Sequence, residues 1–170
     1  MASDVDETLD AVALPDAVAR LALRKARTVA ASRTAALVLG ADTIVVIDGR
    51  ALGKPADADD ARTMLRALRG RTHEVMTGIA VLDAASGRHA AETVISRVTM
   101  AAYTERDIEA YVATGEPLDK AGAYAIQGAG RALVVRLEGS RSNVVGLPLA
   151  ATAELLRRVG VAVSVPPPEA

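Results

Sequence analysis

Four short segments of the chain place carboxylates, lysines and glycines close together: Asp6-Glu7-Thr8, Gly40-Ala41-Asp42-Thr43, Gly53-Lys54-Pro55, and the run from Asp119-Lys120 to Gln127-Gly128. These are the parts that phosphate chemistry uses. Carboxylates hold a divalent cation or activate water, lysines neutralise phosphate oxygens, and glycines let backbone N–H groups approach an anion. Asp42 is the most pointed of them, because it opens the apolar run Ile44-Val45-Val46-Ile47. A carboxylate is costly to bury unless something pairs with it. The lysines are also selective. Of the 20 lysine and arginine residues only three are lysine, Lys25, Lys54 and Lys120. A compact ammonium on a flexible stem meets phosphate differently from a planar guanidinium.

The elements that must carry these residues can be read from pattern and punctuation. Residues 15–32 have apolar positions at helical spacing, with Pro15 suited to a first turn. Residues 36–47 read as a strand, or as two short strands broken at Gly40-Ala41-Asp42, and Asp48-Gly49 signals a hairpin. Residues 57–69 form a helix with acidic residues in its first turn and Gly70 after its end. Residues 73–84 and 91–100 read as strands joined through Ser86-Gly87, and Thr104 with Asp107 makes a capping box for the next helix. A Gly-rich stretch from Gly115 to Gly130 leads into a strand at 131–138, and residues 148–159 close with a helix. His73 opens a strand with no second histidine near it in sequence, which favours a structural role over a metal ligand. Gly128-Ala129-Gly130 is not a dinucleotide fingerprint, because the run continues into a strand and not a helix.

With 170 residues, 51% of them hydrophobic, the chain is long enough for one globular α/β domain with a core. That core has to be built from Ala, Val and Leu, since the only aromatic residues are Tyr103, Tyr111 and Tyr124. A net charge of −1 gives no electrostatic case for nucleic acid or an anionic membrane. No apolar run is long enough to span a bilayer, and the acidic start MASDVDETLD lacks the apolar core of a secretory signal. The absence of cysteine excludes disulfides, thiolate chemistry and Cys-ligated zinc. The cytoplasm is the expected location.

The ordered series VDET, LALRKA, VLGADTIV, LGKP, RTHEVMTGIAV, YVATGEPLDKAGAYAIQG and SNVVGLPL resembles the Maf family of nucleoside triphosphate pyrophosphatases over nearly the whole chain. The resemblance implies an α/β fold, a single elongated domain over residues 1–170 with a twisted mixed β-sheet and a cleft between two lobes, related to the inosine-triphosphate pyrophosphatases. Residues 161–170 are expected to form a loose tail. It implies hydrolysis of a nucleoside triphosphate to the monophosphate and pyrophosphate with Mg²⁺ or Mn²⁺, and a homodimer. Family members with Thr after the acidic residue act on dTTP, UTP and modified pyrimidine triphosphates, whereas members with Gln act on methylated guanosine triphosphate. Asp42-Thr43 follows the pyrimidine pattern.

Residue by residue, the resemblance makes Asp42 the general base and puts Lys54 and Lys25 against the phosphates. Thr43 and Gln127 become the readers of the base. Asp119 and Lys120 position the triphosphate or tie down their loop through an ion pair, and Glu7 joins Asp42 near the metal. In one respect the chain departs from the family. Maf proteins place a strand and an S-x-S-P-R-R loop ahead of D-E-T, and this sequence contains no Ser-Pro-Arg-Arg. That departure implies a phosphate site without the serine and arginines of the loop, and a sheet with an exposed edge or gap. A chain begun downstream of the loop, a short inactive protein, and a gap covered by a partner subunit remain open at this point. The alternative function is then a catalytically impaired, nucleotide-binding regulator of septum formation.

Overall fold

The computed structural model describes residues 14–164. A five-stranded sheet carries the fold, in the order β2-β1-β3-β4-β5: β1 Leu37–Ile47, β2 Arg50–Leu52, β3 Thr72–Asp83, β4 His89–Met100 and β5 Val134–Glu138. The helices are α1 Leu14–Ala30, α2 Ala58–Leu68, α3 Glu105–Val112, α4 Arg141–Val145 and α5 Leu149–Arg158. The α/β class stands, but all four strand pairings are antiparallel where a mixed sheet was expected. The connections explain this. β1 turns into β2 at Asp48-Gly49 and β3 turns into β4 near Gly87, where both glycines take positive φ, and tight hairpins join only antiparallel neighbours.

Side-chain alternation divides the sheet into two faces. On one face Met76, Gly78, Ala80 and Leu82 of β3 lie under α1, and Leu14 packs with Val46 and Met76 while Ala26 packs with Val38 and Leu82. The other face has two territories. Val45, Ile47, Val75 and Val98 join α2, α3 and the segment from Ala123 to Leu133 in the largest core cluster. Farther along, Ile79 and Val81 pack against Leu155 and Val159 of α5. All three tyrosines serve the large cluster. Tyr103 donates to the Leu65 carbonyl at 2.6 Å, and Tyr124 bonds His73 Nε2 at 2.7 Å.

Local chemistry sets the helix ends. Asp57 caps α2 by accepting from the Asp60 N–H, and Thr104 with Asp107 forms the capping box of α3. β1 runs unbroken through Gly40-Ala41-Asp42, because full pairing with β3 overrides the weak strand preference of those residues. β5 begins three residues later than the pattern suggested, since Gly128–Leu133 winds as 3₁₀ turns. α4 is an additional helix, with five residues too short to show a period. The tail is held beyond Val161: the Val161 N–H donates to the Leu156 carbonyl, and Arg157 reaches the Val163 carbonyl. Residues 165–170 lie outside the described residues. β2 pairs only with Val45, Val46 and Ile47, so among the described residues positions 37–44 of β1 form a free sheet edge.

Candidate active site

The cleft follows that free edge. It has a volume of about 890 Å³. Leu21, Lys25 and Thr28 of α1 line one side, and residues 41–45 of β1 form its floor. Gly53-Lys54, the segment 119–127 and Val144 to Gly146 line the other side. A smaller adjoining cavity shares Gln127, Val145 and Gly146.

Asp42 faces α1, and Lys25 Nζ donates to Asp42 Oδ1. The cation that a partly buried carboxylate requires is therefore supplied by the helix above it. Two glycines set this meeting. Gly40 lies two residues before Asp42 on the same face, and Gly78 on β3 is the direct cross-strand partner of Asp42. A Cβ on Gly40 would fall 2.4 Å from the Ala22 carbonyl oxygen, and one on Gly78 would fall 2.3 Å from that of Val18. Small residues at both levels, with buried Val18, Ala22 and Ala26 on the helix, let the backbone of α1 settle onto the sheet beside Asp42.

Lys54 is exposed on a turn that its neighbours hold in place. The Gly53 carbonyl accepts from the Gly122 N–H at 2.9 Å, and Pro55 is buried. Gly122 needs its lack of side chain twice over: its φ is +68°, and a Cβ would meet the Val45 side chain at 2.8 Å. Lys120 donates to Asp119, and that ion pair holds the Asp119 carboxyl below its ordinary pKa. Both residues line the cleft.

Thr43 points to the opposite face from Asp42. Its hydroxyl lies 2.9 Å from Thr77 Oγ1, which in turn donates to the Asn143 carbonyl at 3.0 Å. Gln127 is exposed on the wall beyond. The loop after Gln127 is clamped from below by Glu116, which accepts from the Tyr111 hydroxyl at 2.9 Å and from the Ala129 and Gly130 N–H groups, each at 3.1 Å. Desolvation pushes the Glu116 carboxyl up, but these three donors outweigh it and leave its pKa lowered. Beneath the cleft His73 is buried, and desolvation lowers its pKa to about 4. It is therefore neutral near pH 7 and belongs to the core, as its isolation in the sequence suggested.

Asp42, Thr43, Lys25, Lys54, Asp119, Lys120 and Gln127 thus line one cleft, drawn from four separate segments. Glu7 lies outside the described residues. Among the described residues no group of three or more His, Asp or Glu side chains converges as a metal cage. Sequence reasoning missed Thr77, Asn143, Glu116 and the glycine seat of α1. Thr77 did carry a signal, as a polar residue in the alternating series His73, Val75, Ile79, Val81.

The sequence profile described as Maf-like protein matches residues 1–159. The chain belongs to the Maf family. Relatives within the family are close and named alike. The dTTP/UTP pyrophosphatase of Pelotomaculum thermopropionicum is 50% identical over 161 residues, covering 94% of this chain and 84% of that protein. Its namesake from Moorella thermoacetica is 54% identical over 160 residues, covering 94% and 82%. The dTTP/UTP pyrophosphatase of Myxococcus xanthus is 51% identical over 162 residues, covering 94% and 81%.

Proposed function

We propose that this Maf protein hydrolyses pyrimidine nucleoside triphosphates, dTTP and UTP foremost, to the monophosphate and pyrophosphate. The observation that carries the reading is the division of the cleft. Asp42, Lys25, Lys54 and Lys120 supply charge, while Thr43 and Gln127 supply neutral donors and acceptors suited to a base edge. Relatives at about half identity bear the matching name.

Asp42 takes a proton from the water that attacks the α-phosphorus. A new P–O bond forms there, the bond from the α-phosphorus to the bridging oxygen breaks, and pyrophosphate leaves with the electron pair. Lys25 occupies Oδ1, so Oδ2 is assigned as the proton acceptor. Lys54 and Lys120 offset the charge that gathers on the departing pyrophosphate. A divalent cation, Mg²⁺ or Mn²⁺, fits this donor set only in the manner of Mg²⁺ sites built from one or two carboxylates plus phosphate oxygens, with Asp42 as the carboxylate. When bound it would neutralise the triphosphate.

We place the enzyme among the free nucleotides of the cytoplasm; no described helix is long and apolar enough to cross a membrane. A homodimer is the assembly we propose. Leu37 and Leu39 are exposed on the face that also carries the exposed Val145 and Leu149, and such a surface gains by being covered.

The test is pyrophosphate release from dTTP, UTP and GTP with Mg²⁺ or Mn²⁺, with Asp42→Asn beside the wild type. Turnover of the pyrimidine nucleotides that drops by roughly 10²–10⁴-fold in the variant is the expected result. Binding of dTTP without turnover, unaffected by Asp42→Asn, would instead favour the regulator of septum formation.

A further inference from the structure

The hydroxyl chain behind Thr43 has a direction that can be deduced. A hydroxyl has one proton to give and two lone pairs. Thr77 is fully buried, and its Oγ1 lies 3.0 Å from the Asn143 carbonyl oxygen, which can only accept. The Thr77 proton is therefore committed to Asn143. In the 2.9 Å contact between the two threonines, Thr77 must then accept and Thr43 must donate. What Thr43 has left to offer the cleft is a pair of acceptor sites.

Asn143 is itself fixed. Its side-chain amide donates to the Val75 carbonyl at 3.2 Å and to Ser96 Oγ at 2.8 Å, and its backbone N–H is capped by Ser140. The carbonyl that orients Thr77 belongs to a residue with 0% exposure. Thr43 lines the cleft beside Gly146, where a Cβ would only come into ordinary contact with Thr43 Oγ1, at 3.6 Å. Were Thr43 to turn its proton toward a ligand, the buried Thr77 oxygen would lose its only donor partner in this chain of bonds, which is costly away from water.

We propose that Thr77, held by the Asn143 carbonyl, is a positioning residue that fixes Thr43 as a hydrogen-bond acceptor, so that the cleft selects bases offering a ring N–H at that point. Uracil and thymine carry a ring N3–H between two carbonyls. Cytosine presents a bare N3 there, which would set acceptor against acceptor. The inference rests on the proposed nucleotide site and assigns its preference for imide bases to two residues, Thr77 and Asn143, that touch no ligand.

The experiment measures binding by calorimetry with non-hydrolysable α,β-imido triphosphates of uridine, N3-methyluridine and cytidine, for wild type, Thr77→Val and Thr77→Ser. Wild type should bind the uridine compound at least about tenfold tighter than the other two, the equivalent of one hydrogen bond. Thr77→Val frees the Thr43 proton, so the uridine-to-cytidine ratio should fall toward unity, whereas Thr77→Ser should keep it. Wild type that binds the N3-methyl compound as well as the uridine compound overturns the proposal, even if Thr77→Val does not fold. A ratio unchanged in folded Thr77→Val overturns it too. Because no turnover is needed, an inactive protein with the predicted ratios would sink the proposed reaction and leave the relay standing.

Discussion

Replacing Gly78 with alanine asks whether the seat of α1 on the sheet controls the site. The added methyl carbon would sit 2.3 Å from the Val18 carbonyl oxygen, 2.5 Å from the Val18 carbonyl carbon and 2.8 Å from the Ala19 nitrogen. All three are backbone atoms, so no rotamer change relieves the contact. Restoring ordinary contact distance requires α1 to lift by about 1 Å, which loosens the packing of Leu14, Val18 and Ala22. Overpacking of this kind costs about 1–3 kcal/mol, offset by ~0.4–1 kcal/mol from the reduced entropy of the unfolded chain. A net loss of about 1–2 kcal/mol lowers Tm by roughly 2–8 °C for a chain of this size. Lys25 rides on the same helix, so its bond to Asp42 is displaced by a similar distance, and an error of about 1 Å can cost on the order of a hundredfold in kcat. Thermal melts and pyrophosphate release from UTP, measured well below Tm, read the two effects separately. Gly40→Ala should behave alike, since its Cβ would lie 2.4 Å from the Ala22 carbonyl oxygen, while Gly53→Ala, with nothing within 4 Å, should leave Tm in place. If Gly78→Ala matched the wild type in both Tm and kcat, the close approach of α1 would not be what holds Lys25 on Asp42.

Lys54→Ala should lower kcat/KM for UTP by about a hundredfold without changing the UTP-to-CTP ratio, because a phosphate contact carries no information about the base; a shifted ratio would place Lys54 at the base instead. Glu116→Gln swaps an acceptor oxygen for a donor facing one of the three groups that Glu116 holds, so the loop bearing Gln127 should loosen. Hydrogen exchange at Ala129 and Gly130 should accelerate and KM for UTP should rise while kcat is kept; unchanged exchange would refute the clamp. His73 gives a pH signature. Its folded pKa of about 4 lies below the ordinary value of 6.5, so the unfolded chain binds the extra proton between those limits. Stability is complete above about pH 6.5 and falls by up to ~3 kcal/mol as the pH drops toward 4. Urea titrations across that range should show the slope in the wild type and a shallower one in His73→Gln; equal slopes would assign the acid loss to other groups.

Much of this molecule was legible from local rules. Asp57, Thr104 and the turn glycines Gly49 and Gly87 punctuate the chain through short-range geometry, which sequence displays directly. The strand signal of β1 was weakest at Gly40-Ala41-Asp42, and that is the place where α1 comes closest to the strand. Glycine is needed there for the helix above, and Asp42 pairs with Lys25 of that helix, at the expense of strand preference. The antiparallel order of the sheet and the extent of β5 depend on pairing partners far along the chain, and no window of sequence contains them. The cleft residues could be named individually, but the pairing of Lys25 with Asp42 could not be foreseen from spacing alone, because it depends on how α1 crosses the sheet.

The two faces of β1 organise the site. Along a free edge strand, consecutive residues present their side chains to opposite faces at almost the same height. Asp42 therefore meets α1 and a cation, while Thr43 meets Thr77 and, through it, the Asn143 carbonyl of α4. One peptide step separates a charged environment from a neutral one. A ligand lying across the edge would be handled by charge on one side and by hydrogen-bond polarity on the other. The two functions can then vary independently. Substitution at Thr77 should alter which base is accepted without disturbing Asp42, and substitution at Gly78 should disturb Asp42 without altering which base is accepted. The UTP-to-CTP ratio measured in both variants decides the matter, and a change of that ratio in Gly78→Ala as large as in Thr77→Val would show that the faces are coupled.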